Sequence, residues 1–225
     1  MKLILGSPPD IHYIVREYKI TSGIIGRQRR LILTADYVEY ENVDLGGNKF
    51  TRFNKSDITD FRYGKGDIVW YKYIIGQEFS VTLRDENDRE LRIVLENYFN
   101  LHKGYKELYT DIVNDIWTFY HSDVVDRLID RFHAKQEFMI QGIKILPGGV
   151  QLKEESSILP WERVRMNEYN AYFTIYDDDN PVIHSRINFN EYGTETLWCT
   201  LRTIAKENKE RAAQELVSNG VKPSW

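Results

Sequence analysis

The sequence predicts a mainly β fold in two units, each closed by a C-terminal amphipathic helix. Three observations carry this expectation. The chain contains an internal repeat, its apolar residues alternate at a period of two over short segments, and each half ends on a run with apolar residues three and four apart.

The repeat is visible as order more than as identity. LILTADYVEYEN, from Leu31 to Asn42, is followed by FTRFNKSDITDF, from Phe50 to Phe61. In the second half KILPGGVQLKEE, from Lys144 to Glu155, is followed by SSILPWERVRMN, from Ser156 to Asn167. Each copy has an apolar strand ending at Leu33 or Leu146, turn residues, an alternating strand, and a short segment closing on Ile58 or Val164. Gly46–Gly47 and Gly148–Gly149 read as turns with positive φ, since neither pair precedes a helix as a phosphate-cradling loop does.

Downstream, the stretch from Glu78 to Leu95 sets Phe79, Val81 and Leu83, then Leu91, Ile93 and Leu95, at period two around turn residues, which is a hairpin pattern. The stretch from Ala171 to Phe189 is its counterpart, with DDDNP as an exposed turn. The first helix carries Tyr105, Leu108, Tyr109, Ile112, Val113, Ile116, Trp117 and Tyr120 on one face. The second carries Leu197, Trp198, Leu201, Ile204 and Ala205. Trp117 and Trp198 sit at similar places, so each is expected to plug its own sheet. The boundary falls near Ser122, giving units 1–121 and 122–225. Ser122 is either the N-cap of a linker helix through Phe132 or a residue within one long helix from Tyr105 to Ala134.

A meander of short strands closed by one helix, with Leu33, Thr34, Val38, Tyr40, Phe53, Asp57 and Ile58 in the first unit, resembles the pleckstrin-homology-like (PH-like) superfamily, in particular its bacterial and GRAM-like members. Leu146, Val150, Leu152, Leu159, Pro160, Trp161 and Val164 are the matching residues of the second unit. The resemblance implies two β-sandwich or partly open barrel units. The second is expected to be thinner, with five or six strands against about seven in a full PH-like sandwich.

YKITSGIIGRQRRL contains Lys19, Arg27, Arg29 and Arg30, and it resembles the basic strand-loop-strand signature of lipid-binding PH domains. The resemblance implies that these side chains could surround one loop and share an anionic head group. Residues 1–30 hold six Lys plus Arg against two Asp plus Glu, a local +4 in a chain of net charge −4. A separate feature is FRYGKGDIVWYKYIIG, from Phe61 to Gly76, which has no counterpart in the second half. It reads as an inserted hairpin whose Tyr63, Trp70, Tyr71 and Tyr73 suit a partner interface or self-association.

Catalytic chemistry is poorly supported, and neither metal nor cofactor is expected. The five histidines are scattered with no HExxH-like spacing, and His121 and His133 read as surface or interface residues. Lone Cys199, between Trp198 and Thr200, excludes an intrachain disulfide and reads as a buried structural thiol. An enzyme would need a pocket gathering distant residues, for example His184 with Glu162 or Asp177. A pI near 5.8 with no basic run longer than GRQRR argues against nucleic acid. The absence of a signal pattern at MKLILGSPPD points to the cytoplasm. The expected function is a non-enzymatic binding or scaffolding protein that recognises a protein partner, with anionic membrane lipid as the alternative.

Overall fold

The computed structural model describes residues 15–21, 23, 26–41, 50–153 and 155–218. The chain divides between Ser122 and Asp123 into two compact units. In unit 1, β1 (Arg16–Thr21), β2 (Gln28–Leu33), β3 (Tyr37–Glu41) and β4 (Phe50–Asn54) form an antiparallel sheet in sequence order. A 3-10 turn at Lys55–Asp57 then carries the chain into a three-stranded antiparallel sheet of β5 (Ile58–Trp70), β6 (Tyr73–Asp85) and β7 (Glu90–Tyr98). The helical stretch after it is α1 (Tyr105–Ile116), a π-helical turn at Trp117–His121, and α2 (Ser122–His133).

Period-two alternation explains why these segments pair. Leu31 and Leu33 of β2, Val38 and Tyr40 of β3, and Val81 and Leu83 of β6 are at most 2 % exposed, while Ile32 of β2 and Glu39 of β3, between them, are more exposed. Ile112 and Ile116 of α1 complete this core. Each fully buried aliphatic side chain contributes roughly 1.5–3 kcal/mol of burial energy. Two tyrosine hydroxyls fasten the helical stretch to the first sheet. Tyr105 accepts from Thr21 N at 3.0 Å and donates to Thr21 O, and Tyr120 accepts from Thr34 N at 3.0 Å while facing the carbonyls of Thr34 and Tyr37.

Unit 2 repeats this order. β8 (Phe138–Ile140), β9 (Ile143–Leu146), β10 (Gly149–Gln151) and β11 (Ile158–Pro160) form one sheet. A 3-10 turn at Trp161–Arg163 leads into β12 (Val164–Glu168), β13 (Tyr172–Asp177) and β14 (His184–Asn188), and then α3 (Thr194–Ser218). The described protein is therefore mainly β and sandwich-like, with a C-terminal helix. Its second unit has seven strands, not five or six: β8 is three residues long, too short to display alternation. α2 adds Val125, Ile129 and Phe132 to a core otherwise built from Ile143, Ile145, Phe173, Ile175, Leu197 and Leu201.

Several local expectations are decided or corrected. Of the two readings of Ser122 the continuous helix is the one found: residues 105–133 are helical throughout, and the Ser122 hydroxyl donates to Thr118 O at 3.2 Å instead of capping a new helix. Phe61 to Gly76 is not a separate hairpin but the outer part of β5 and β6 themselves. Trp117 and Trp198 touch their own sheets yet stay half-buried, the covering residues being Ile112, Ile116, Leu197 and Leu201. Neither Gly148 nor Gly149 has positive φ. Gly149 is instead required by close approach, since a Cβ there would meet Leu159 O at 2.2 Å. Gly46–Gly47 lies outside the described residues.

Candidate functional site

The four sequence-selected cations do not form one cluster. Lys19 pairs across the sheet with Arg30, and Ile20 with Arg29. Since Ile20 is buried, Lys19 and Arg30 share the outer face while Arg29 shares the inner face with Leu31 and Leu33. Arg29 is half-buried beside the Tyr40 hydroxyl. Arg27 donates from Nη2 to Glu41 Oε1 at 2.9 Å, and Arg30 lies 4.0 Å from Glu17 and over the Phe50 ring. An anion approaching one face of this sheet thus meets Lys19 and Arg30 flanked by Glu17, not four converging charges.

The aromatic set also divides. Tyr63 is half-buried and stacks on buried Phe61 with ring centres 5.7 Å apart, so it belongs to the packing of unit 1. Trp70, Tyr71 and Tyr73 are exposed at the outer end of β5 and β6.

His121 is 1 % exposed and corrects its assignment to the surface. Its ring lies 3.9 Å from that of Phe61 and 4.3 Å from that of Trp117, and burial pushes its pKa down to about 3. His133 is exposed, with Nε2 2.9 Å from Glu207 Oε2. His184 is exposed and its Nδ1 faces its own Val182 carbonyl at 2.9 Å. Asp177 is not an exposed turn residue. It is 2 % exposed, and Arg163 donates to it from both Nε and Nη2. Those bonds, against burial, hold its carboxyl below the usual range. Asp85 holds the matching place in unit 1 opposite Ile58, where burial raises its pKa less than bonds from Arg89 and Asn87 lower it. Cys199 is half-buried, and its thiol is pushed up to about 11 by burial and by Glu195. The described residues hold no group of three or more His, Cys, Asp or Glu side chains that could seat a metal ion, and no helix long and apolar enough to cross a membrane.

The site with the most developed geometry was missed by sequence reasoning. In unit 2 a groove of about 710 Å³ runs between β12 and α3. Val164, Met166, Trp161, Trp198 and Ala205 form its apolar floor, with Arg165, Arg202, Lys206 and Lys209 as cations and Glu162 and Glu168 as acids along its sides. On α3 the positions 198, 202, 205, 206 and 209 are one face by helical spacing. Trp198 is fixed from below by Phe173, ring centres 4.9 Å apart, and from the side by Arg202 at 6.0 Å.

The backbone lining the groove is as important as the side chains. β12 is the edge of its sheet, paired only with β13 among the described strands. Asp178 N donates to Arg163 O at 2.9 Å, and Tyr169 N to Tyr172 O at 2.8 Å, so the odd-numbered residues of β12 direct their N–H and C=O toward β13. Val164, Met166 and Glu168 direct theirs away from it. Arg165 Nη1 takes the Val164 carbonyl at 3.0 Å and its Nη2 lies 2.6 Å from Asp178, leaving Met166 and Glu168 as the accessible rungs.

Comparison of the chain with protein-family models, with curated proteins and with solved structures gives no match.

Proposed function

We propose that the chain is a non-enzymatic, tandem PH-like binding protein whose second unit takes up an extended, acidic segment of a protein partner along β12. The PH-like part rests on the order of elements, four strands, a 3-10 turn, three strands and a C-terminal helical stretch, which occurs twice. The binding part rests on one observation: an open strand edge beside a groove with an apolar floor and four cations.

Strand addition uses these features directly. An extended segment laid beside β12 would exchange backbone hydrogen bonds with Met166 and Glu168, and its alternate side chains would face the floor made by Trp198, Met166 and Ala205. Acidic residues in the segment would meet Arg202, Lys206 and Lys209 on α3, where charge pairing speeds encounter and fixes orientation more than it deepens affinity. The groove volume of about 710 Å³ lies within the roughly 300–1,000 Å³ typical of ligand sites. Edge strands elsewhere are usually blunted or covered, so an edge left beside an apolar floor favours a binding role.

The test is calorimetric titration of the full chain with a synthetic peptide whose groove-facing alternate positions carry both valine and glutamate, with serine between them. Saturable binding is expected, weakened by salt because charge pairs screen over roughly 8–10 Å at 0.1–0.15 M. Met166→Pro, which removes one edge N–H at a position where proline is tolerated, should lower affinity about tenfold or more. Binding of equal strength to the Met166→Pro chain would refute strand addition at β12.

A further inference from the structure

The outer end of the β5–β6 hairpin is built differently from the rest of unit 1. β7 accompanies β6 only as far as the Gly76↔Tyr98 pair. Beyond it the hairpin continues as two strands, with a register shift between Ile68 and Val69, then the pairs Val69↔Ile74 and Trp70↔Tyr73, and Tyr71 and Lys72 in the turn. Val69, Trp70, Tyr71, Tyr73 and Ile74 are 58–86 % exposed.

Two properties of this tip distinguish its occupant. Successive residues of a strand point to opposite faces, so Val69 and Trp70 on one strand, and Tyr73 and Ile74 on the other, make both faces of the ribbon apolar. A folded partner docking on the ribbon covers one face and leaves the other wet, whereas a medium that surrounds the tip covers both. The second property is charge. Residues 68–77 contain no Asp or Glu and one Lys, and from Arg62 to Gly76 the cations Arg62, Lys65 and Lys72 face the single acid Asp67. The residue types match the water–lipid boundary, since Trp and Tyr carry an apolar ring with a polar handle. Lys72 has its ammonium 5.7 Å from the Tyr73 ring centre, and a lysine's long stem lets such a charge reach head groups. Tyr71 occupies the turn with φ +54, a region that glycine or asparagine adopts with less strain.

We propose that this tip is a membrane-surface anchor which inserts into the head-group and upper acyl region of an anionic bilayer. Ile68 to Tyr71 spans about 10 Å at roughly 3.3 Å per residue, comparable to the roughly 5–10 Å to which interfacial segments bury themselves. The anchor is independent of the groove on unit 2 and of the basic residues Lys19, Arg27, Arg29 and Arg30.

The full chain is sedimented with phosphatidylcholine vesicles and with vesicles containing phosphatidylserine, and tryptophan emission is followed with lipids brominated near the top of the acyl chain. Binding to the phosphatidylserine vesicles is expected, with quenching of tryptophan emission. Trp70→Ser with Tyr71→Ser should lower partitioning at least tenfold and remove the bromolipid quenching while leaving the circular dichroism unchanged. Tyr71→Glu alone, a change at the most exposed residue, should weaken binding in the same direction. Failure to bind either vesicle overturns the proposal, as does binding that both variants leave intact, which would place the lipid contact elsewhere. A dimer in sedimentation velocity that the double variant dissolves overturns it too, making the tip a protein interface.

Discussion

The two units share their order of elements and differ at the outer edge of the second sheet. Phe61 in β5 and Met166 in β12 hold the same place, each opposite the residue two before the buried aspartate that ends the next strand, Asp85 or Asp177. In unit 1 the π-helical turn sets Trp117 and His121 on one side, four residues apart, and both rings lie against Phe61. In unit 2 the facing helix is α3, and the space beside Met166 is the groove floored by Trp198 and Ala205. One unit packs its helical stretch onto the side chain at this place, and the other leaves a channel beside it. A π turn inserts one extra residue into a helix and changes which side chains face the sheet, which is why such turns recur at functional or specialised positions.

This contrast predicts, first, different responses to acid. His121 is held near a pKa of about 3, against 6.5 for an ordinary histidine, so below pH 6.5 the unfolded chain binds a proton that the folded one refuses. Its contribution is fully present above that pH and is lost as pH falls, at about 1.4 kcal/mol per pH unit, until protonation of the folded state ends the loss. Urea unfolding followed on unit 1 amides should show this slope, and His121→Phe should flatten it by an amount that unit 2 amides do not register. An identical slope in the variant would mean that His121 is accessible to solvent.

Unit 2 is broken more selectively by Gly149→Ala. The added Cβ meets the Leu159 carbonyl, a backbone atom that cannot swing aside, so a loss of about 3 kcal/mol is expected in the unfolding of unit 2. Tyr120→Phe acts on unit 1 in a smaller way. It removes the hydroxyl that holds the Thr34 turn, for roughly 1–2 kcal/mol, read as a lower unfolding midpoint. The sharpest for the comparison is Trp198→Ala. The side chain is half-buried against Phe173, so unit 2 loses some stability and binding is read where circular dichroism shows it folded; affinity for the glutamate–valine peptide should then fall about tenfold.

Much of the architecture could be read from residue order. Ile58 and Val164 do open the second sheet of each unit, and Leu33 and Leu146 do end a strand, because apolar alternation and turn residues are local signals. β8 escaped because three residues cannot show a period. The burial of His121 was legible in part, because it lies four residues after Trp117 and continues the same face, and it escaped because a titratable ring was read as a surface group. The division of Arg29 from Arg30 was available from strand parity alone, since adjacent residues of a strand face opposite ways. The groove was not available, because Met166 and the α3 positions 198 to 209 meet only through tertiary packing and no spacing in the chain announces it. The Trp70, Tyr71 and Tyr73 cluster was legible as an aromatic excess, and only the exposure of both ribbon faces distinguishes its use.

The most direct measurement is a backbone amide NMR titration of the full chain with the glutamate–valine peptide. Strand addition at the open edge predicts that the amides of Met166 and Glu168 shift most and become protected from exchange, together with the indole of Trp198, while the amides of Phe61 and its neighbours in β5 stay in place. Shifts confined to β5, or spread over unit 1 with β12 unmoved, would contradict the assignment of the groove as the binding site.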